Sequence, residues 1–207
     1  MIKEKIFLFG ASGHGKVVID IIEQQGIYEI AFLADDDPAL KGQEVYGLPV
    51  LGGKAELLVS GIRRGIVAIG SNKTRCDVAE WLADKGCELV SAIHPAAQLA
   101  RGAVIGHGTV VMAGAVINSD SLLGREVIVN TRASIDHDCQ VGDGVHIGPG
   151  ATLCGTVTVG PGSFICAGST VIPNLTIGSN VVVGAGSTVI RHVPDSVTVV
   201  GSPARTI

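Results

Sequence analysis

Residues 98–193 divide into sixteen hexads without a gap, and they read QLARGA, VIGHGT, VVMAGA, VINSDS, LLGREV, IVNTRA, SIDHDC, QVGDGV, HIGPGA, TLCGTV, TVGPGS, FICAGS, TVIPNL, TIGSNV, VVGAGS and TVIRHV. The second place of every hexad is Leu, Ile or Val, from Leu99 to Val189. Because only 46% of the chain is hydrophobic, chance does not explain this pattern. A unit of six residues is too short for a pair of helices and matches no heptad. The hexads therefore predict a parallel β-helix.

A longer period is nested within the hexads. Glycine follows the aliphatic residue every 18 residues, at Gly106, Gly124, Gly142, Gly160 and Gly178. Three hexads then form one triangular coil with three short sides, and each side points one aliphatic side chain inward. Small residues, glycine above all, let the chain turn at the corners. The alternative, an ordinary β-sandwich, would need strand alternation and irregular loops.

Composition and charge narrow the class of protein. A chain of 207 residues has room for a repeat domain of about 100 residues and one small partner domain. A net charge of −4 and an aromatic content of 3% argue against a nucleic-acid surface. No apolar run reaches the length of a membrane span, so we expect no membrane association.

The N-terminus and the cysteines indicate the cellular compartment of the protein. Residues 1–5 lead directly into a short strand, which argues against a signal peptide. The five cysteines are odd in number and form no CxxC pair. We therefore expect them to be reduced, in a cytoplasmic protein.

A glycine-rich loop follows the first predicted strand. Ile6–Phe9 is apolar and ends at Gly10, the turn ASGHG occupies residues 11–15, and residues 16–23 have apolar positions at helical spacing. Free N–H groups at the start of such a helix bind anions, so this arrangement predicts a phosphate site.

Two common interpretations of this loop do not fit. Gly10, Gly15 and Lys16 match the Walker A spacing, but Val17 stands where a hydroxyl would hold Mg²⁺, which argues against nucleotide hydrolysis. The glycines at 10, 13 and 15 also miss the G-x-G-x-x-G spacing of redox dinucleotide sites. The remaining hypothesis is a nucleotide or nucleotide-sugar diphosphate that is bound for recognition.

Further strands alternate with loops and a helix up to position 93. Strands are predicted at 30–33, 66–69 and 89–93, a helix at 75–85, and a loop and turn at 47–53. His94-Pro95 marks the junction with the repeats, because the residue before proline is pushed to extended geometry. The first part of the chain is therefore predicted to be an open parallel sheet.

The loops at the carboxyl ends of these strands should converge on one crevice. They are residues 10–15, Asp35 and residues 70–72. Asp35 follows the first glycine by about 25 positions, where an acidic residue in such folds accepts hydrogen bonds from ribose hydroxyls. Asp36 and Asp37 are interpreted as turn residues.

Four motifs carry a resemblance that covers essentially the whole chain. They are FGASGHG at 9–15, AIGSNKTR at 68–75, NT at 130–131 leading to IDHDC at 135–139, and VGSPAR at 200–205. The chain resembles the bacterial sugar O-/N-acyltransferases of the sialic-acid-synthesis type, and most closely the UDP-4-amino-sugar N-acetyltransferases.

The resemblance implies an architecture of two domains. Residues 1–94 would form a Rossmann-like α/β nucleotide-sugar-binding domain. Residues 95–207 would form a left-handed parallel β-helix, the acyltransferase domain, with a short C-terminal tail. The family assembles as a homotrimer, with acetyl-CoA and the active sites between subunits.

His137 is flanked by two carboxylates, Asp136 and Asp138. Attack of an amine or hydroxyl on a thioester needs a base near neutral pH, and a neighbouring carboxylate raises the basicity of imidazole. Adjacent side chains on a flat strand point to opposite faces, so a pairing of His137 with Asp138 requires a bend, which a hexad corner supplies. The resemblance implies that His137 is the catalytic base and that Asp138 assists it, at a place where the family often carries Glu.

The resemblance also implies the remaining site residues. His146 would contact acetyl-CoA, Ala167 and Ala185 would lie along its pantetheine arm, and a backbone N–H near Gly155 would hold the thioester oxygen. The residues predicted to bind the nucleotide sugar are Ser12, Gly13, His14, Asp35, Gly70 and Asn72.

We weigh three functions. The leading hypothesis is an acetyl-CoA-dependent N-acetyltransferase that acts on a UDP-linked 4-amino-deoxy sugar in bacterial glycan synthesis. The alternatives are O-acetylation of sialic acid or another sugar hydroxyl, and a non-catalytic nucleotide-sugar-binding assembly protein. A zinc site made of His107, His137 and His146 would leave the first domain without a purpose, so no metal is expected, and His107 and His192 are interpreted as surface residues.

Overall fold

The computed structural model describes residues 3–207. Met1 and Ile2, which belong to the segment used to argue against a signal peptide, lie outside the described residues. The chain divides into a first unit that ends at Pro95 and a second unit, Ala96–Ile207. None of the helices between residues 3 and 207 combines the length and the apolar character that a bilayer span requires.

The first unit is an α/β structure built around a parallel sheet. Its elements are β1 (Glu4–Phe9), α1 (Gly13–Gln25), β2 (Tyr28–Ala34), β3 (Glu44–Val45), β4 (Leu48–Gly52), α2 (Lys54–Val59), β5 (Arg64–Val67), α3 (Asn72–Asp84), β6 (Glu88–Leu89) and β7 (Ala92–Ile93). The sheet order is β3-β4-β2-β1-β5-β6, and only β3 runs antiparallel to its neighbour. The chain leaves β1 toward one side of the sheet and β5 toward the other. The switch point therefore lies between β1 and β5, beyond whose carboxyl ends such folds bind ligands.

Strand β1 is the centre of this sheet. Ile6, Phe7 and Leu8 are fully buried, as expected for a parallel strand covered on both faces. The rings of Phe7 and Phe32 stack with their centroids 6.4 Å apart. A Cβ on Gly65 would lie 2.3 Å from the Phe7 ring, so glycine in β5 makes room for that ring.

The prediction of a loop and turn at residues 47–53 was wrong, because β4 occupies most of this segment. Val50 is 1% exposed, and β4 pairs with β2 through Leu33 and Val50. Gly47 and Pro49 favour a turn locally, but burial of Val50 and pairing with β2 override that preference. The structure also contains α2, which was not predicted, and divides the predicted strand at 89–93 into β6 and β7.

Each hexad of the second unit forms a two-residue strand at its first and second places. These strands are β8 (Gln98–Leu99), β9 (Val104–Ile105), β10 (Val110–Val111), β11 (Val116–Ile117), β12 (Leu122–Leu123), β13 (Ile128–Val129), β14 (Ser134–Ile135), β15 (Gln140–Val141), β16 (His146–Ile147), β17 (Thr152–Leu153), β18 (Thr158–Val159), β19 (Phe164–Ile165), β20 (Thr170–Val171), β21 (Thr176–Ile177), β22 (Val182–Val183) and β23 (Thr188–Val189). Strands three hexads apart pair in parallel, so Ile135 lies between Ile117 and Leu153. The predicted coil of 18 residues is confirmed.

Positive backbone φ angles recur at the fifth place of the hexads. Glycine often occupies this place, but Asp120, Glu126, Arg132 and Asp138 adopt the same left-handed conformation. A residue other than glycine stays there only when the surrounding structure holds it. Beyond the hexads, β24 (Thr198–Gly201) and β25 (Ala204–Thr206) form an antiparallel pair.

Candidate active site

His137 and Asp138 form a hydrogen-bonded pair at the turn after β14. His137 Nδ1 lies 2.8 Å from Asp138 Oδ2. Because a carboxylate only accepts, Nδ1 carries the proton and Nε2 keeps its lone pair. Asp138 has a φ of 58°, and this bend brings the two consecutive side chains together, despite the shorter Asp in place of Glu. The His137 side chain is 56% exposed, so Nε2 is accessible as a proton acceptor.

The carboxylates around His137 make the imidazole more basic. The hydrogen bond that His137 Nδ1 donates to Asp138 raises the pKa of His137 above its usual 6.5, and the negative charge of Asp136 adds to this effect. A pKa close to the working pH suits a general base. The turn therefore has the geometry and the electrostatics of a base supported by a carboxylate.

Asp136 links the base to the preceding coil. Its Oδ1 accepts a hydrogen bond from the backbone N–H of His137 and another from Asn118 Nδ2, both at 2.9 Å. The Asn118 bond is the main reason that the pKa of Asp136 lies below its usual value, followed by the bond from His137. Asn118 was not among the predicted site residues, although its spacing of 18 residues from Asp136 was a usable signal.

Gly155 lies against the His137 ring, one coil further along the chain. A Cβ on Gly155 would lie 2.6 Å from His137 Nε2 and 2.7 Å from Cε1. Among residues 3–207, no acceptor takes a hydrogen bond from the N–H of Gly155. A free amide N–H can stabilise a developing oxyanion, and this role of Gly155 stays a prediction.

His146 is held by two neighbours on another side of the coil. Its side chain lies on β16, is nearly buried, and stacks on Phe164 with ring centroids 4.6 Å apart. Its Nε2 lies 3.0 Å from Asn130 Nδ2, while Asn130 Oδ1 accepts from the N–H of Thr131. Nε2 is therefore an acceptor, and the proton of a neutral His146 is on Nδ1. Asn130 was noted only as part of a motif, and its contact with His146 was not anticipated.

The two alanines and the two remaining histidines of the repeat lie at the surface. Ala167 and Ala185 are exposed at the turns after β19 and β22, and Gly186 N donates to Ala167 O at 2.9 Å, so these turns stack. His107 and His192 are exposed, and His192 Nδ1 accepts from Thr176 N at 2.9 Å.

The described part of the chain brings no three His, Cys, Asp or Glu side chains into a group that could hold a metal ion. His107, His137 and His146 accordingly form no such group within the described chain. The five cysteines are free thiols.

The glycine loop of the first unit is closely packed on one side and open on the other. A Cβ on Gly10 would lie 2.5 Å from Ala68 O, and one on Gly15 would lie 2.2 Å from Gly10 O. Ser12 precedes α1, but its side chain makes no capping hydrogen bond, and Gly13 faces open space. The start of α1 can therefore accommodate an anion beside Ser12 and Gly13.

Asp35 joins the end of β2 to the glycine loop. Its Oδ2 accepts from Ala11 N at 2.8 Å, and its Oδ1 accepts from Asp37 N at 2.9 Å. Asp37 in turn accepts from Ala39 N, as a turn residue does, and Asp36 accepts from Lys54 N. Asp35 thus shapes the loop, and its contact with a ribose stays a prediction.

A buried arginine organises the loop after β5. Arg75 is fully buried and donates to Ile69 O at 3.1 Å, Gly70 O at 3.2 Å and Asn72 Oδ1 at 3.0 Å. Arg75 belongs to the motif at 68–75, but no role was predicted for it.

His14 is neutral in this setting. Burial, with a contribution from the charge of Arg75, lowers the pKa of His14 to about 4. His14 Nε2 is buried and has no hydrogen-bond partner among residues 3–207. The loop at 10–15 is thus linked to Asp35 through Ala11 N, and to residues 70–72 through Arg75, which acts on His14 and donates to Gly70 and Asn72.

Comparison with known proteins matches both units of the chain. Residues 5–82 match the PglD N-terminal domain, and residues 120–155 and 156–191 match the bacterial transferase hexapeptide of six repeats. The UDP-N-acetylbacillosamine N-acetyltransferase of Bacillus subtilis is 40% identical over 113 residues, or 53% of this chain. This alignment spans 52% of the Bacillus protein, about half of its length.

Solved structures match the whole chain. PerB from Caulobacter crescentus, in complex with CoA and GDP-perosamine, is 41% identical with a TM-score of 0.93, covering 100% of this chain and 98% of that chain. The acetyltransferase domain of PglB from Neisseria gonorrhoeae, in complex with acetyl coenzyme A, is 39% identical with a TM-score of 0.92 and full coverage of both chains. The predicted fold class, a Rossmann-like α/β domain followed by a left-handed parallel β-helix, is confirmed.

Proposed function

Because this chain belongs to the bacterial hexapeptide-repeat sugar acyltransferases with a PglD-type N-terminal domain, we propose that it transfers an acetyl group from acetyl-CoA to the amino group of a UDP-linked 4-amino-deoxy sugar in glycan synthesis. The observation that carries the proposal is the His137–Asp138 pair, with Nδ1 and Oδ2 2.8 Å apart and Nε2 accessible. The relatives support the substrate class, since the Bacillus protein is named a UDP-N-acetylbacillosamine N-acetyltransferase and PerB was solved with CoA and GDP-perosamine.

The chemistry follows from the tautomer of His137. The neutral amine attacks the thioester carbonyl, a C–N bond forms, and His137 Nε2 takes a proton from the amine. Asp138 stabilises the resulting imidazolium, and the N–H of Gly155 would stabilise the oxyanion. The C–S bond then breaks, and the imidazolium returns its proton to the leaving CoA thiolate.

The remaining predicted residues would bind the two substrates. Ser12, Gly13 and His14 would meet the diphosphate or the sugar, and Asp35, Gly70 and Asn72 would line the side of the nucleotide. The acetyl-CoA site would be lined by His146, Ala167 and Ala185. The start of α1 and the neutral imidazole of His14 support the first set, and the stacked exposed turns support the alanines.

The active protein would be a cytoplasmic homotrimer, with its active sites between subunits. His137 and His146 lie on different sides of one coil, so a site that uses both draws them from neighbouring subunits in this arrangement. The free thiols are consistent with a reducing compartment. Light scattering on the purified protein tests the assembly: a mass of three chains is expected, and a monomer contradicts it.

Release of CoA thiol and mass spectrometry of the product test the reaction. The panel contains UDP- and GDP-linked 4-amino sugars, their 4-hydroxy counterparts and sialic acid. We expect an amide product from an amino sugar and, for His137→Ala, a kcat lower by at least ~10²-fold, the lower end of general-base contributions. An ester product supports O-acetylation, and no product with any acceptor supports a binding protein. Near-normal turnover by His137→Ala removes His137 from the mechanism.

A further inference from the structure

We propose that Asn118 is a positioning residue for the transfer reaction, which holds the Asp136 carboxylate against the backbone of His137. The inference rests on the proposed function of His137 as the base. Asn118 lies one coil before Asp136, because Ile117 of β11 pairs with Ile135 of β14.

A single oxygen atom makes the connection. Asp136 Oδ1 accepts from Asn118 Nδ2 and from the N–H of His137, both at 2.9 Å. Hydrogen bonds thus hold the Asp136 carboxylate between Asn118 of the preceding coil and the backbone of His137. On the other side of the base, the carbonyl oxygen of His137 accepts from Thr156 N at 2.8 Å. The Asn118 bond is one of the side-chain links between this exposed turn and the coil before it. Ser121 Oγ makes two others, because it donates to Asp136 O at 2.6 Å and accepts from Cys139 N at 3.2 Å.

Without Asn118, the backbone N–H of His137 is the donor that remains to the Asp136 carboxylate among residues 3–207. The carboxylate can then rotate toward water, which screens its charge from the imidazole and loosens the turn. Two carboxylates act on the imidazole from this turn, those of Asp136 and Asp138. Asp120 occupies the same place as Asp138 one coil earlier, and its Oδ1 lies against Gly102 of the coil before that. The neighbouring turn of the next coil contributes the uncharged Gly155 and Thr156.

Asn118→Leu keeps the approximate shape of the side chain and removes its donor, and Asp136→Asn removes the charge. Ser134→Ala is the matched control, since it removes a hydrogen bond between successive coils, from Ser134 Oγ to Thr152 Oγ1 at 3.2 Å, without touching the Asp136 carboxylate. Two readouts are used. One is the pH profile of kcat/KM, and the other is the NMR titration of His137, assigned by its absence in His137→Gln.

In Asn118→Leu and Asp136→Asn we expect the proton affinity of His137 to fall by about threefold, as loss of one exposed charge interaction implies. The acid limb of the profile moves to lower pH and kcat falls, while KM changes little and Ser134→Ala stays like the wild type. An unchanged titration in Asn118→Leu, with or without a loss of kcat, overturns the proposal. The titration needs no substrate, so it decides the role of Asn118 even if no sugar is acetylated and the proposed function fails.

Discussion

The imidazole of His137 rests on Gly155 of the next coil, at a distance that leaves no room for a side chain. A Cβ on Gly155 would lie 2.6 Å from Nε2, closer than real Cβ contacts come. Gly155 is not among the residues with a positive φ, so its backbone conformation does not require glycine. The histidine ring, rather than the backbone, explains why this position has no side chain.

Gly155→Ala should therefore reduce activity with little loss of folding stability. The added methyl group displaces the imidazole from the place where its Nε2 acts, and we expect kcat to fall by at least ~10-fold, because small displacements at a reacting centre cost rate. Steady-state kinetics and the melting temperature check this. In the His137→Ala background the same change should alter neither property further, since the ring it collides with is gone. Full activity of Gly155→Ala contradicts the contact.

The pH dependence of activity should follow the pKa of His137. The base acts when it is unprotonated, so kcat/KM falls as the pH falls through its pKa, which lies above 6.5. Asp138→Asn removes the largest cause of that raised pKa, so the acid limb should move to lower pH while the plateau falls with the weaker base. Profiles of both proteins between pH 5 and 9 check this. An acid limb that stays in place in Asp138→Asn shows that another group controls it.

Stability toward acid should depend on His14. Its pKa of about 4 lies below the usual 6.5, so between these values the unfolded chain binds a proton that the folded chain does not. This contribution is present above pH 6.5 and is lost as the pH falls, by about 3 kcal/mol at pH 4. His14→Gln should flatten this part of the curve of unfolding free energy against pH, as measured by urea denaturation. Equal slopes in the two proteins contradict the buried neutral imidazole.

Arg75 should stabilise the loop that is proposed to line the nucleotide site. Arg75→Met removes the hydrogen bonds to Ile69 O, Gly70 O and Asn72 Oδ1 and leaves these partly buried acceptors without that donor, at a cost of about 1–3 kcal/mol. We also expect KM for the nucleotide sugar to rise while KM for acetyl-CoA stays constant. Denaturation and two-substrate kinetics separate the two effects. Lys73→Met is the control, because the exposed Lys73 loses its bond to Asp77. An Arg75→Met protein with the same stability and the same KM values as this control rules out a role of Arg75 in stabilising the loop.

The β-helix was predictable from sequence because its period is short and repeats without a gap. The aliphatic residue at the second place of each hexad packs inside the coil in the same way. The hexads from Leu99 to Val189 therefore predict the coil without information about distant contacts. The His137–Asp138 pair was also predictable, because the two residues are adjacent in the chain and a bend at a hexad corner is enough to bring their side chains together. The segment around Pro49 was missed, because pairing of Val50 with β2 outweighs the local preference of proline and glycine for turns.

By itself, the amino-acid sequence determined the hexad coil, the glycine loop and the carboxylates beside His137, because these features depend on composition and spacing along the chain. Only the tertiary structure decided three contacts: Asn118 donates to the Asp136 carboxylate, the His137 imidazole packs on Gly155, and Arg75 donates to the loop after β5. These contacts join residues that the coil, the helix or the turn brings within a few ångströms. Hydrogen bonding and steric exclusion act at that range, so the contacts exist only once the backbone has folded.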